Sequence, residues 1–474
     1  MANRNVIIFM ADEHAPDAMG CAGSSFVKTP NIDKLAAAGT RFSRAYSPSP
    51  ICVPARAAFQ TGRYVHQIGC WSNAEPYHGH HPGWGHRLIE NGHEVISCGK
   101  LHFRRTEDDN GFSREIRPLH VRGGVGWVQA LLRRGYNGYD ASGFAGDIGP
   151  GDDPYTEYDR AVCDDAITWL KTEGQAKRDK PWVLFVSLLR PHYPLTCPPE
   201  FYAMYPPDKI PQRRFAGKAV EYRNPVLAAF RSYYDYDDYF DDHTRQVARA
   251  SYYGLCSFTD DLVGQVMRAL EGTGQADETA VIYTSDHGEL NGDHGLWTKM
   301  TMHEGSVGIP LILSGAGAPV GVSDTQTSLV DIHQTVLEAA GVGLADEDAD
   351  RPGQSLYQVA GNSDPHRTVL SEYHDGGSIT GFFMARVDNW KYVYYPGFAP
   401  QLFDLSNDSD EINDLGLSAA HTDVRTRCHA RLLEMCDPDS VNDQCFADQA
   451  KRIEELGGVD VIVNADVYDH TPVE

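Results

Sequence analysis

Short apolar runs that stop abruptly at charged or hydrogen-bonding residues recur along the chain. Residues 6–10 are apolar throughout and lead into Asp12 and Glu13; residues 95–98 lead into Gly99-Lys100-Leu101-His102. Residues 181–189 lead into Arg190-Pro191-His192, and residues 280–285 into Asp286-His287-Gly288-Glu289. Continuous apolar runs of this length, bounded by polar residues, predict central strands of a parallel sheet. Ligands of such sheets sit beyond the carboxyl ends of the strands. Asp12 and Glu13 are therefore placed where a metal can be held, against the commoner fate of such residues as a helix cap or solvated turn. Lys100 and His102, two apart in an extended segment, are expected to project to the same side.

Other segments read as scaffold. Residues 29–42 predict a helix bounded by Asn31 or Asp33 and Gly39, and residues 251–270 a packing helix ending before Gly272. Residues 308–315 predict a strand and 328–337 a helix ending near Gly341; composition changes at 343–352. Residues 369–373, 385–395 and 401–405 predict an antiparallel meander, followed after about residue 420 by charged helix and tail, a place for an oligomer contact. Residues 104–158 and 199–245 lack clear periodicity and read as insertions over the site, where selectivity would reside. The run 233–242 in the second insertion alternates Tyr, Phe and Asp. It is either a solvated face or a set of aromatic faces suited to a cationic group on the substrate.

The 474 residues suggest several domains, with an expected division into 1–365 and 366–474. A net charge of −25 argues against nucleic acid or an anionic membrane as partner. It does not exclude a small anion, because a few cations and a metal in one pocket outweigh a screened surface charge. No stretch approaches the roughly 20 apolar residues of a membrane span, and the apolar start is too short for a secretory leader. The ten cysteines lack paired spacing, which predicts reduced thiols in a cytoplasmic protein.

The chemistry centres on residues 49–64, which contain Cys52-Val53-Pro54-Ala55-Arg56 followed by Thr61-Gly62-Arg63. Pro54 fits the first turn of a helix, and a helix N-terminus favours an anion. This Cys-x-Pro-x-Arg motif, with the strand endings at Asp12, Gly99-Lys100-x-His102, Pro191-His192 and Asp286-His287-Gly288-Glu289, resembles the formylglycine-dependent (type I) sulfatases. The branch with choline sulfatases and phosphonate monoester hydrolases shares His at the position of His287. Four motifs in the family's order cover most of the chain.

The resemblance implies an α/β fold of the alkaline phosphatase superfamily: a large mixed, mainly parallel sheet flanked by helices, with a smaller C-terminal α+β domain. It implies a sulfuric ester hydrolase acting on a small alkyl or aryl sulfate, with a phosphonate monoester or phosphodiester hydrolase as the alternative. Cys52 would be converted to Cα-formylglycine by a formylglycine-generating enzyme. One divalent ion (Ca²⁺, Mg²⁺ or Mn²⁺) would be held by Asp12, Glu13, position 52, Asp286 and His287. Glu13 departs from the family's Asp, and the imidazole of His287 favours Mn²⁺ or Zn²⁺ over Ca²⁺. In the implied mechanism the metal-bound hydroxyl of the hydrated aldehyde attacks sulfur. His192 or Lys299 helps the alcohol leave, His102 takes a proton from the second hydroxyl, and Arg56 and Lys100 stabilise the diol and the developing charge. Asn73, in a loop after Cys70, is read as a substrate donor or a turn residue, and His303 as lining the site or packing beneath it. The partners expected are the sulfate ester, the maturing enzyme and further copies of the chain in a homo-oligomer. An unoxidised cysteine nucleophile and a non-catalytic binding protein are the rival readings.

Overall fold

The computed structural model describes residues 3–134, 139–211, 224–466 and 470–473. Parts of both predicted insertions, 135–138 and 212–223, lie outside the described residues. The main sheet has eight strands: β1 (Asn5–Asp12), β2 (Thr40–Phe42), β3 (Val95–Lys100), β4 (Arg114–Leu119), β5 (Val183–Pro191), β6 (Thr279–Ser285), β7 (Leu311–Gly315) and β8 (Gly321–Ser323). Their order is β8-β2-β7-β6-β1-β5-β3-β4. Only β7 runs against its neighbours β6 and β2; every other pairing is parallel.

β1 shows why this sheet is covered on both sides. Val6, Ile8 and Met10 pack into one core with Phe59, Trp84, Ile332 and Val336, while Ile7 and Phe9 face a second with Trp169, Phe258 and Leu262. Successive side chains of a strand alternate faces, so an unbroken apolar run needs an apolar layer on each. The helices Pro154–Lys171 and Asp242–Thr273 form one layer; Cys52–Thr61, Trp84–Glu90 and Asp331–Ala340 form the other.

Residues 104–158 are less of an insertion than their pattern predicts. They contain β4, which pairs with β3 at the edge of the sheet, and the start of the helix Pro154–Lys171. β4 is the sheet's terminal strand and its burial is mixed, so it carries no apolar run to read. The C-terminal strands β9 (Val369–Tyr373), β10 (Phe382–Val387), β11 (Trp390–Tyr394) and β12 (Gln401–Asp404) form the predicted antiparallel meander. None of the described helices is long and apolar enough to cross a membrane.

The meander is joined to the loops around the main sheet by buried polar contacts. Glu372 on β9 donates its N–H to Pro48 O at 2.9 Å, and its Oε1 lies 2.7 Å from His66 Nδ1. Burial alone would raise the Glu372 carboxyl. His66, with His374, outweighs burial and holds it down at about 2. A carboxyl depressed in the folded state stabilises the fold above its unfolded pKa, and that contribution is lost as pH falls through the folded value. We therefore predict that the stability difference between wild type and Glu372→Gln, from urea unfolding, is largest above about pH 4.5 while His66 is still protonated, shrinks toward about pH 2, and falls again as pH rises through the raised His66 value. A difference that stays constant across that window would contradict this role.

Candidate active site

Cys52 is the first residue of the helix Cys52–Thr61, every residue of which is buried. The preceding Ile51 is extended, and no side chain of its own caps the helix. Asn73 supplies the cap from another loop: its Oδ1 accepts the Val53 N–H at 3.0 Å, while its own N–H donates to Asp375 Oδ2 at 2.7 Å. Asn73 also borders the cavity above Cys52, so the residue expected to be a substrate donor or a turn former holds the start of this helix.

One turn on, Arg56 is 1% exposed and its fork spans three strand ends. Nε donates to Asp286 Oδ2 at 2.8 Å and Nη2 to Asp12 Oδ2 at 3.1 Å. Nη1 donates to Lys100 O and Ser187 Oγ, both at 2.9 Å. The guanidinium thus faces the two carboxylates, a positioning contact that its expected role on the diol did not include. Lys100 Nζ donates to the same Asp12 oxygen at 2.6 Å. Burial alone would raise the Asp12 carboxyl; Lys100, then His192 and Arg56, outweigh it and hold the group well below the usual carboxylate range.

The other oxygens of these carboxylates face a second group of atoms. Asp12 Oδ1 lies 3.8 Å from Cys52 Sγ and 3.7 Å from His287 Nε2. His287 Nε2 is 3.6 Å from Asp286 Oδ1 and 3.2 Å from Cys52 Sγ. Ligand atoms about 2.0–2.4 Å from a shared ion lie roughly 3–4 Å apart, so the spacing of these four donors fits one divalent cation. Burial lowers the His287 pKa, leaving a neutral ring, and its Nδ1 lies 3.1 Å from Gly288 O. Nε2 is then free to act as the ligand atom. Burial, followed by the charge of Asp12, pushes the Cys52 thiol up to about 12, so an unmodified thiolate is strongly disfavoured here.

Glu13 takes a different position. Its backbone is left-handed, with φ 67°, and its side chain meets Lys299 Nζ at 3.0 Å and His192 Nε2 at 3.3 Å. It is not among the four donors around Cys52, but it forms a separate close group with Asp12 and His192. Burial raises the Glu13 and Glu289 carboxyls, which interact, against the pull of Lys299.

His192 and Lys299 form one unit, Nε2 to Nζ 2.7 Å. Burial and then Lys299 hold His192 well below its ordinary pKa, so the ring is neutral. Its Nδ1 lies 2.5 Å from Tyr193 O. That N–H donates to the carbonyl, and Nε2 accepts from the ammonium. Lys299, whose pKa is raised by Cys52, Glu13 and Asp12 against the effect of burial, is the proton-bearing member.

His102 departs from the extended geometry expected of it. Its φ is 59°, which turns the ring so that Nε2 lies 2.9 Å from Thr471 Oγ1; its buried Nδ1 has no partner. Burial, then Lys100 and Arg56, keep His102 neutral. It still borders the same cavity as Lys100, His192 and Lys299.

That cavity encloses about 60 Å³ above Cys52. It is also lined by Trp127, Tyr139, Tyr155, Tyr193, Tyr234 and Tyr236, and by His470 and Thr471. The run 233–242 is therefore neither wholly solvated nor wholly a binding face. Tyr234 and Tyr236 turn inward, while Asp235 and Asp238 stay exposed. His470 and Thr471 belong to a tail without periodicity, and no sequence signal marks them as site residues. His303 does not border this cavity. It lies in a second one, stacked on His294 with ring centroids 3.8 Å apart.

Comparison with known proteins identifies the family and the fold. The family model described as "Sulfatase" matches residues 4–342, and that for the C-terminal part of N-sulphoglucosamine sulphohydrolase matches 292–437. A choline-sulfatase of Rhizobium meliloti (strain 1021) is 29% identical over 420 residues, covering 87% of this chain and 82% of its own. Arylsulfatase K of Danio rerio is 30% identical over 440 residues, covering 87% and 80%. The crystal structure of the phosphonate monoester hydrolase of Agrobacterium radiobacter superposes with a TM-score of 0.73 at 24% identity, covering 93% of this chain and 96% of that one; it shares the fold. The chain belongs to the sulfatase family of enzymes.

Proposed function

We propose that this sulfatase hydrolyses a small alkyl or aryl sulfate ester to alcohol and sulfate, using Cα-formylglycine at position 52 and one divalent cation. The observation that carries this reading is the spacing of Asp12, Cys52, Asp286 and His287, with Cys52 lining a cavity that Lys100 and Lys299 also line. The two carboxylates and the neutral imidazole would hold the ion. When bound, it would neutralise substrate charge and lower the pKa of a coordinated hydroxyl. The aldehyde hydrate at position 52 would carry two hydroxyls where the cysteine carries one sulfur, one suited to attack and one to deprotonation.

The chain's own residues divide the remaining work. Lys100 and Lys299 present ammonium groups to an anionic ester in a water-poor site, where such charges act strongly. Lys299 holds the proton that a departing alcohol needs, and neutral His192 orients it through the 2.7 Å contact. His102, neutral and with one ring nitrogen unpartnered, is placed to accept a proton beside position 52. A cavity of about 60 Å³ with aromatic walls favours a compact alcohol group.

Lys299→Met is expected to lower kcat by about 10²–10⁴-fold on an ester with a poor leaving group, and much less on 4-nitrophenyl sulfate, whose alcohol needs little protonation. Equal losses on both esters would remove Lys299 from leaving-group protonation. A phosphonate monoester carries the same single negative charge as a sulfate ester, so the pair Lys100 and Lys299 also admits that reading. We expect kcat/KM for 4-nitrophenyl sulfate to exceed that for 4-nitrophenyl phenylphosphonate; the reverse order assigns the enzyme to phosphonates. Within the sulfates, the tyrosine and tryptophan faces predict that choline sulfate outperforms a neutral alkyl sulfate by roughly 2–30-fold. Absence of that preference would count against a cationic alcohol.

A further inference from the structure

The segment between Ser285 and Glu304 has two working faces. One delivers Asp286, His287 and Lys299 to the site around Cys52. The other delivers Asp293, His294 and His303 to a separate cavity of about 610 Å³, which is also bordered by Glu411 from beyond β12. Nothing in the proposed reaction uses these residues.

His303 is 5% exposed, yet neither of its ring nitrogens has a hydrogen-bond partner. A buried imidazole with both nitrogens unsatisfied is uncommon and calls for a physical cause. The nearest carboxylate oxygen, Glu411 Oε2, stands 3.6 Å from His303 Nδ1, too far for a hydrogen bond. Two ligands about 2.0–2.1 Å from a tetrahedral zinc are separated by about 3.3 Å, so the gap has the width of a shared ion. His294 completes the group. Its ring lies parallel to that of His303, with 8° between planes, and one donor atom from each of His294, His303 and Glu411 lies within 4.8 Å of the others.

The surroundings hold Glu411 in place. Lys391 Nζ sits 2.6 Å from Glu411 Oε1, and the Glu304 N–H donates to Glu411 Oε2 at 2.6 Å. His294 and Glu411 are both non-glycine residues in the left-handed region, at φ 56° and 52°, a conformation that concentrates at ligand sites. Five carboxylates, those of Asp17, Asp293, Glu304, Asp410 and Glu411, border the cavity against the two arginines Arg41 and Arg44. Lys391, which pairs with Glu304 at 2.8 Å and with Glu411 at 2.6 Å, offsets part of that negative charge.

We propose that His294, His303 and Glu411 form a second divalent-cation site, distinct from the donors around Cys52. Two imidazoles and one carboxylate suit zinc or a similar borderline transition ion better than Ca²⁺ or Mg²⁺. The adjoining cavity supplies water for the remaining position. The stacked rings open from parallel when both nitrogens turn to the ion. Bound there, the cation ties the loop that carries Asp286, His287 and Lys299 to the segment following β12, so it acts as a clasp on the catalytic loop.

The test uses the full chain, stripped with a chelator, reloaded with Zn²⁺ and desalted. Wild type is expected to retain one more zinc per chain than His303→Phe, which keeps a stacking ring, and one more than Glu411→Gln. An unchanged zinc count in either variant, with native circular dichroism, overturns the site. A measurement without variants covers the case in which both misfold: anomalous diffraction at the zinc edge from zinc-soaked wild-type crystals. A peak between His303 and Glu411 is expected; peaks confined to the Cys52 site, or none, overturn the proposal.

Discussion

Everything at this site hangs from a buried guanidinium. Arg56 leaves the helix behind Cys52 and grips one oxygen each of Asp12 and Asp286, which end two adjacent parallel strands. The grip fixes where the other two oxygens point, and they point at Cys52 and His287. Removing one partner of a buried ion pair costs about 3–5 kcal/mol because the other charge is stranded. A Lys at position 56 would keep the charge but lose the fork that reaches both carboxylates and, through Nη1, the backbone of Lys100. The helix of Cys52 and three strand ends are thus locked by one side chain.

Around that lock the backbone is unusually constrained. Glu13, His102, Thr298 and Met300 are non-glycine residues with φ between 59° and 81°, and each adjoins or belongs to the site. Such conformations cost free energy and persist only where the surroundings enforce them. The consequence for function is visible in the rings and ammonium groups. Burial and neighbouring cations keep His102 and His192 neutral, while surrounding negative groups keep Lys299 charged. The environment thus leaves a charged lysine beside neutral histidines in one cavity.

The strands and the strand-end chemistry were legible because both depend on local sequence. An unbroken apolar run has to be covered on both faces, and its last residues have to face the ligand edge, so Asp12, Lys100, His192 and Asp286 could be placed before any coordinates. β4 was not legible, since a partly exposed edge strand carries no such run. The roles of Asn73 and His303 depend on contacts made far along the chain: Asn73 accepts the N–H of Val53, twenty residues earlier, and His303 meets Glu411. The tail residues His470 and Thr471 carry no pattern, and only tertiary docking brings a threonine hydroxyl onto His102. The aromatic walls lie between these extremes. The run 233–242 was visible as aromatic and acidic, but which side chains turn inward is decided by packing against the loops around Met300 and Gly376.

In the proposed reaction position 52 works as an aldehyde. The most direct measurement is the mass of the tryptic peptide spanning Cys52, from active enzyme made in its native host, with and without hydrazide trapping. The account predicts a peptide in which the thiol is replaced by an aldehyde or its hydrate and which forms a hydrazone. An unmodified, alkylatable thiol in fully active enzyme would contradict it and return Cys52 to the class of thiol nucleophiles.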